Sequence, residues 1–233
     1  MSELELLTLL PDKILDKKHK IILGQGVNSD SINKIISTHR KNVDYCNNLE
    51  IDSLEEFVKN KKNINCHKQR NENILIGRSK AIEQSNKYVM SLVIDERCEL
   101  MVDHQTGQHI QGMLLIEASR QAFIAVTEEW IYGNNISRYY VINNMAINFS
   151  NFIFPLPALI SFEFIEKEIN ERRGHFKGII QVTQNKIICA TMDVSFTVYP
   201  SVFIYEKENS LAELAVTTTL LNDSQEFLQV KHG

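Results

Sequence analysis

Apolar and polar positions are arranged differently in successive stretches of this 233-residue chain, and each change of pattern predicts a different element. Residues 1 to 72 are rich in lysine, asparagine and other polar residues and poor in aromatics, with helical spacing at Ser31–Ser37 and Ser53–Lys62. In the second helix Ser53 and Glu56 have the form of a capping box, and Leu54, Phe57 and Val58 make a narrow apolar stripe. Gly24-Gln25-Gly26 resembles part of a phosphate-binding loop. It lacks the third glycine and the strand–helix setting, so a turn is the better reading. The segment reads as a partly helical extension that packs on something else.

From residue 73 the pattern becomes that of a sheet. Ile74–Ile76 and Tyr88–Ile94 are apolar and rich in β-branched residues, with polar breaks between them. Strand patterns return at Tyr139–Phe149, Leu159–Lys167, Phe176–Thr183 and Ile187–Val198. In the last of these Met192, Val194, Phe196 and Val198 alternate with polar residues, the period of a sheet with one wetter face. Gln184-Asn185 is expected to turn a tight hairpin. Between the two sets of strands, residues from about 110 to 130 form the one long apolar helix. This predicts an α+β fold, an antiparallel sheet wrapped around a central helix, over residues 73–200. Residues 201–233 form a tail in which Ser210–Leu221 begins as a helix and Thr217-Thr218-Thr219 weakens it.

Composition narrows the function classes. A net charge of -4 argues against a nucleic-acid or anionic membrane surface as the main partner. Cys46, Cys66, Cys98 and Cys189 are scattered without CxxC pairs, which fits reduced thiols rather than a zinc site or a disulfide framework. The acidic start, Met1-Ser2-Glu3, is unlike a targeting signal, and no apolar run approaches the length of a membrane span. A cytoplasmic protein is expected.

The chemistry is concentrated at the start of the central helix, in Asp103-His104-Gln105-Thr106-Gly107-Gln108-His109-Ile110-Gln111-Gly112 and the Glu117-Ala118-Ser119-Arg120-Gln121 that follows. Glu117, Arg120 and Gln121 lie at i, i+3 and i+4, on one face of the helix. Two readings are open. They are a solvated stripe joined by an ordinary Glu–Arg contact, or Glu117 is a half-buried general acid or base with its pKa drawn toward working pH. His104 is the second candidate for proton transfer, with Asp103 orienting the loop. Gly112 permits close approach at the helix start, where free N–H groups can polarise a carbonyl. Phe149, Phe152 and Phe154 are candidates for an acyl tunnel, a sheet core or a dimer edge. No metal site is expected from Asp103, His104 and His109, which lack fixed ligand spacing.

The run DH-x-TGQH-x-QGM, followed by L-x-EA-x-RQA, resembles the signature of the A-factor biosynthesis hotdog family, and residues 73–200 match the length of one hotdog domain. The resemblance implies an enzyme handling acyl thioesters, which transfers a β-ketoacyl group from an acyl carrier protein or CoA to a small alcohol in signalling or secondary metabolism. It implies Glu117, His104 and Asp103 as catalytic residues and Gly112, Gln108, His109, Arg120 and Gln121 as substrate-binding ones. No cofactor is expected beyond the phosphopantetheine that the substrate carries. One motif copy, where such enzymes carry two, implies a homodimer. A more distant similarity to hydroxyacyl-carrier-protein dehydratases also falls on Glu117, with Gln111 in place of a proline and His104 one residue out of register. Dehydratase, thioesterase and non-catalytic acyl-binding roles therefore remain as alternatives.

Overall fold

The computed structural model describes residues 19–41, 49–60, 64–101, 107–133 and 137–230. The amino-terminal part is a small unit with its own core. β1 (His19–Lys20) and β2 (Leu49–Glu50) pair in parallel, beside helices α1 (Ser29–Lys41) and α2 (Asp52–Asn60). Ile32, Ile35 and Ile36 of α1 pack on Ile51 and Leu54, with Phe57 and Val58 against them, so the expected apolar stripe is present. The expected capping box is not. The helix begins one residue earlier, and the Ser53 hydroxyl donates 3.0 Å to the Ile21 carbonyl instead.

The larger part is a six-stranded antiparallel sheet. β3 (Lys80–Ala81) and β4 (Lys87–Ser91) precede the central helix α3 (Gly112–Val126). β5 (Arg138–Phe149), β6 (Leu159–Ile169), β7 (Gly174–Gln184) and β8 (Ile187–Pro200) follow it, and the sheet runs β3-β4-β6-β7-β8-β5. Alternation decides which face is buried: Phe176, Ile180 and Val182 of β7 and Met192, Val194, Phe196 and Val198 of β8 all point inward. The Phe123 ring of α3 stacks on Phe196 with centroids 4.4 Å apart, and Phe196 stacks on Phe176, which ties the helix to the sheet.

The β7–β8 hairpin turns at Asn185-Lys186, one residue later than expected. Both residues have positive φ, as a type I′ turn requires, and Gln184 pairs with Ile187. The two expected early strands are shorter than their sequence patterns. Ile74, Leu75 and Ile76 are buried, but their ladder is reduced to the bridge Ile76–Leu92, and β4 stops at Ser91. Side chains take the missing bonds: the Leu75 N–H donates 2.8 Å to Gln121 and the Ile94 N–H 2.7 Å to Gln25. Two glutamine amides thus stand in for strand partners.

Beyond Val126 the helix continues as a π-helical turn, Thr127–Tyr132. The tail differs more from expectation, since Ser201–Val230 is a single helix, α4. Thr217, Thr218 and Thr219 are accommodated because each hydroxyl donates to the carbonyl four residues back, at 2.8, 2.8 and 2.9 Å. Among the described residues no helix is long and apolar enough to cross a membrane.

Candidate active site

A cavity of about 520 Å³ lies at the start of α3. That volume is within the range, about 300–1,000 Å³, that encloses a small-molecule ligand. Gly107–Gln111 and Leu114 form the helix side, while Ile94, Met101, Phe154 and Pro155 supply most of the apolar wall. Gln25 and Gly26 of the amino-terminal unit also line it. No charged side chain of the described residues faces this space, so the cavity suits an apolar chain with a polar end.

The helix start is open to a ligand for a local reason. Gln111 occupies the position before the helix in an extended conformation but provides no side-chain cap; its amide donates to the Leu100 carbonyl instead. The first-turn N–H groups are left without the side-chain acceptor that usually satisfies one of them. Gly112 lets an aromatic ring lie close over the helix start. A Cβ there would stand 2.9 Å from Cζ of Phe149. Phe152 packs on His109, ring centroids 4.8 Å apart, and Phe154 lines the cavity. The three phenylalanines considered for an acyl tunnel therefore gather at the helix start.

The predicted site residues separate into two places. Gln108 and His109 line the cavity and Gly112 begins the helix beside it, whereas Glu117, Arg120 and Gln121 do not line it. Asp103 and His104 lie outside the described residues. Glu117 sits under the segment 64–76, which runs along the side of α3. Its carboxylate accepts from Arg120 Nε at 2.8 Å, Arg120 Nη2 at 2.9 Å, Gln121 Nε2 at 3.0 Å and Lys68 Nζ at 2.9 Å. Gln121, fully buried, also donates 2.8 Å to the Asn73 carbonyl.

In this geometry Glu117 lies below the ordinary carboxyl range and not near working pH. Burial raises its pKa, but hydrogen bonds from Arg120, Gln121 and Lys68 outweigh that effect and hold the carboxyl at about 2. Arg120 is raised in turn, first by its bond to Glu117. The group is a fixed carboxylate. Nor is it a solvated stripe, since its side chain is only 17% exposed and is covered by the chain itself.

Farther along the same side of α3, in the π-helical turn, the buried Glu128 meets His67 Nε2 at 3.3 Å and Arg138 Nη1 at 3.4 Å. His67 adopts a left-handed φ of 59° to reach it. Lys68 and Glu128 carry no signal in the sequence; one is a lysine among lysines, and the other follows the signature by six residues. Gln25 reads in the sequence as part of a turn. Cys66, Cys98 and Cys189 are buried and free, and burial pushes the Cys66 thiol up to about 11. Among the described residues no three His, Cys, Asp or Glu side chains converge as a metal ion would need.

Residues 53–200 match the model of the A-factor biosynthesis hotdog domain, which is more than half of the chain. The chain belongs to that family. Its fold is the hotdog, one sheet wrapped around α3, in a single copy. No curated protein matches the sequence. Among solved structures, a candidate thioesterase of Shewanella oneidensis is 10% identical, with 63% of this chain and 99% of that one covered at a TM-score of 0.45. A thioesterase of Haemophilus influenzae is 11% identical, with coverage of 58% and 85% and a TM-score of 0.41. A candidate thioesterase of Lactococcus lactis is 14% identical, with coverage of 55% and 94% and a TM-score of 0.40. The family assignment stands on the family match and not on these distant likenesses.

Proposed function

We propose that the protein is an acyl-thioester-handling enzyme that transfers a β-ketoacyl group from an acyl carrier protein or CoA to a small alcohol. The observation that carries this reading is the largely apolar cavity set against the uncapped first turn of α3. In it the acyl chain lies along Ile94, Met101 and Phe154, and the thioester carbonyl faces the amides at Gly112. These amides and the positive end of the helix dipole favour the negative charge that develops on the carbonyl oxygen. The alcohol oxygen bonds to the carbonyl carbon, the C–S bond breaks, and the alcohol proton passes to the departing thiol. His109 on the cavity wall and His104, five residues before it in sequence, are the candidate proton carriers. Glu117, as a standing carboxylate, positions the segment 64–76, a strap across α3, rather than donating a proton.

A homodimer belongs to this proposal. β5 is the terminal strand of the sheet, twelve residues long, and Phe149 and Phe152 at its end are exposed. The test is to incubate the protein with β-ketoacyl- and hydroxyacyl-carrier-protein thioesters, with and without alcohol acceptors, and read mass shifts. Transfer yields an ester only when alcohol is present; release of free acid without it moves the protein to the thioesterases. If no thioester is consumed, the enzyme reading fails. A non-catalytic acyl-binding role is the second reading, favoured by the full pairing of Glu117 with Lys68, Arg120 and Gln121. Light scattering that finds only monomer would remove the dimer.

A further inference from the structure

The cavity is not built by the hotdog domain alone. Gln25 and Gly26 form part of its wall, and they lie well before residue 53, where the family match begins. They are fixed there rather than resting there. The Gln25 amide donates 2.9 Å to the Leu92 carbonyl and accepts 2.7 Å from the Ile94 N–H, bridging the chain just past β4. The Gln25 backbone N–H donates 3.2 Å to the Pro155 carbonyl, and the Gly26 N–H 2.8 Å to that of Ile94. Gly24 fits so closely that a Cβ on it would stand 2.7 Å from the Pro155 oxygen. A second set of contacts holds the same two segments together. Arg97 reaches Asp30 of α1 at 2.6 Å while its guanidinium is also bound by the buried Asp95, and Asn28 bonds Glu96.

We infer that the amino-terminal unit is the length gauge of the acyl cavity, with Gln25 as the residue that limits how long a chain it accepts. The inference rests on the proposed acyl site. The bridging amide pins Gln25 against Leu92 and Ile94, so its side chain is a rigid boundary that an acyl tail cannot push aside without breaking hydrogen bonds. Removing it enlarges the space along an apolar wall, and each additional buried methylene then adds to affinity. A bulkier side chain at the same place shortens the usable space.

The test uses the full chain and a series of non-hydrolysable thioether analogues of acyl-pantetheine, from butanoyl to dodecanoyl, with affinities measured by calorimetry. Gln25→Ala is expected to move the preferred chain upward, with a gain of about tenfold for two further methylenes relative to the wild-type optimum. Gln25→Trp is expected to move it downward. Thermal unfolding of both variants establishes that they remain folded. An unchanged length optimum in folded variants overturns the gauge while leaving the acyl site intact. Failure of every analogue to bind the wild type overturns the gauge together with the acyl site. Binding without turnover of the corresponding thioesters leaves the gauge standing and removes only the transfer reaction.

Discussion

Replacing Glu117 by glutamine tests the reading of the seam between α3 and the segment 64–76. Its carboxyl is held at about 2 against an ordinary value of 4.5 by Arg120, Gln121 and Lys68. A shift of that size corresponds to roughly 3 kcal/mol by linkage. The seam is partly open to water, so solvent screening reduces the expected contribution to about 1–2 kcal/mol. Glu117→Gln keeps the size of the side chain but leaves Lys68 and Arg120 facing a neutral group. At neutral pH it should lower the melting temperature by roughly 2–8 °C, taking about 2–4 °C per kcal/mol for a chain of this length. The sign of the pH dependence follows from the lowered pKa. The stabilisation is fully present above the ordinary carboxyl value and is lost as pH falls from there toward 2. The difference between wild type and variant, followed by thermal unfolding from pH 7 downward, should therefore narrow below pH 4.5. A gap that is constant with pH, or a variant more stable at neutral pH, would refute the assignment of Glu117 as a fixed anion.

Three further substitutions probe other parts of the helix. Gln121→Ala removes the partner of the buried Leu75 N–H and should cost about 2–3 kcal/mol in urea unfolding; a loss under 1 kcal/mol would contradict the strand-substitute role. Ser119→Ala deletes a buried hydroxyl that has no hydrogen-bond partner among the described residues, so its melting temperature should equal or exceed that of the wild type. Gly112→Val forces the Phe149 ring away from the helix start and should reduce thioester consumption well beyond any effect on the melting temperature. Equal activity in that variant would detach the helix start from the chemistry.

Much of the architecture was legible because it depends on periodicity. The alternation of Met192, Val194, Phe196 and Val198 and the apolar run of α3 each state which side is buried, and the folded chain follows them. The signature around Gly112 was legible at the level of family. What it could not convey was the division of its own residues, with Gln108 and His109 on the cavity and Glu117, Arg120 and Gln121 beneath a strap. That division depends on where Lys68, Asn73 and Leu75 return in space, and these residues are distant in sequence and unremarkable in type. For the same reason Gln25 carried no signal: nothing in a glycine-flanked turn states which backbone its amide will bridge. The strength of the Glu117 pairing was likewise hidden, since an i, i+3 contact alone implies only a few tenths of a kcal/mol. In the tail, side-chain bonding overrides helix propensity. Three consecutive threonines are poor helix formers, but each can return its hydroxyl to the turn behind it.

The central helix is gripped on its two sides by forces that answer to different variables. Toward the sheet, Phe123 and its neighbours are held by apolar contact, which added salt does not weaken and which fades on cooling. On the other side, Lys68 meets the Glu117 carboxylate, a pair at the edge of solvent that added ions screen in part. Salt therefore acts on one contact of the helix and not on its seat in the core. Amide exchange around Lys68 should quicken with ionic strength, while Ile74–Ile76, seated in the same core as Phe123, stay protected with the sheet.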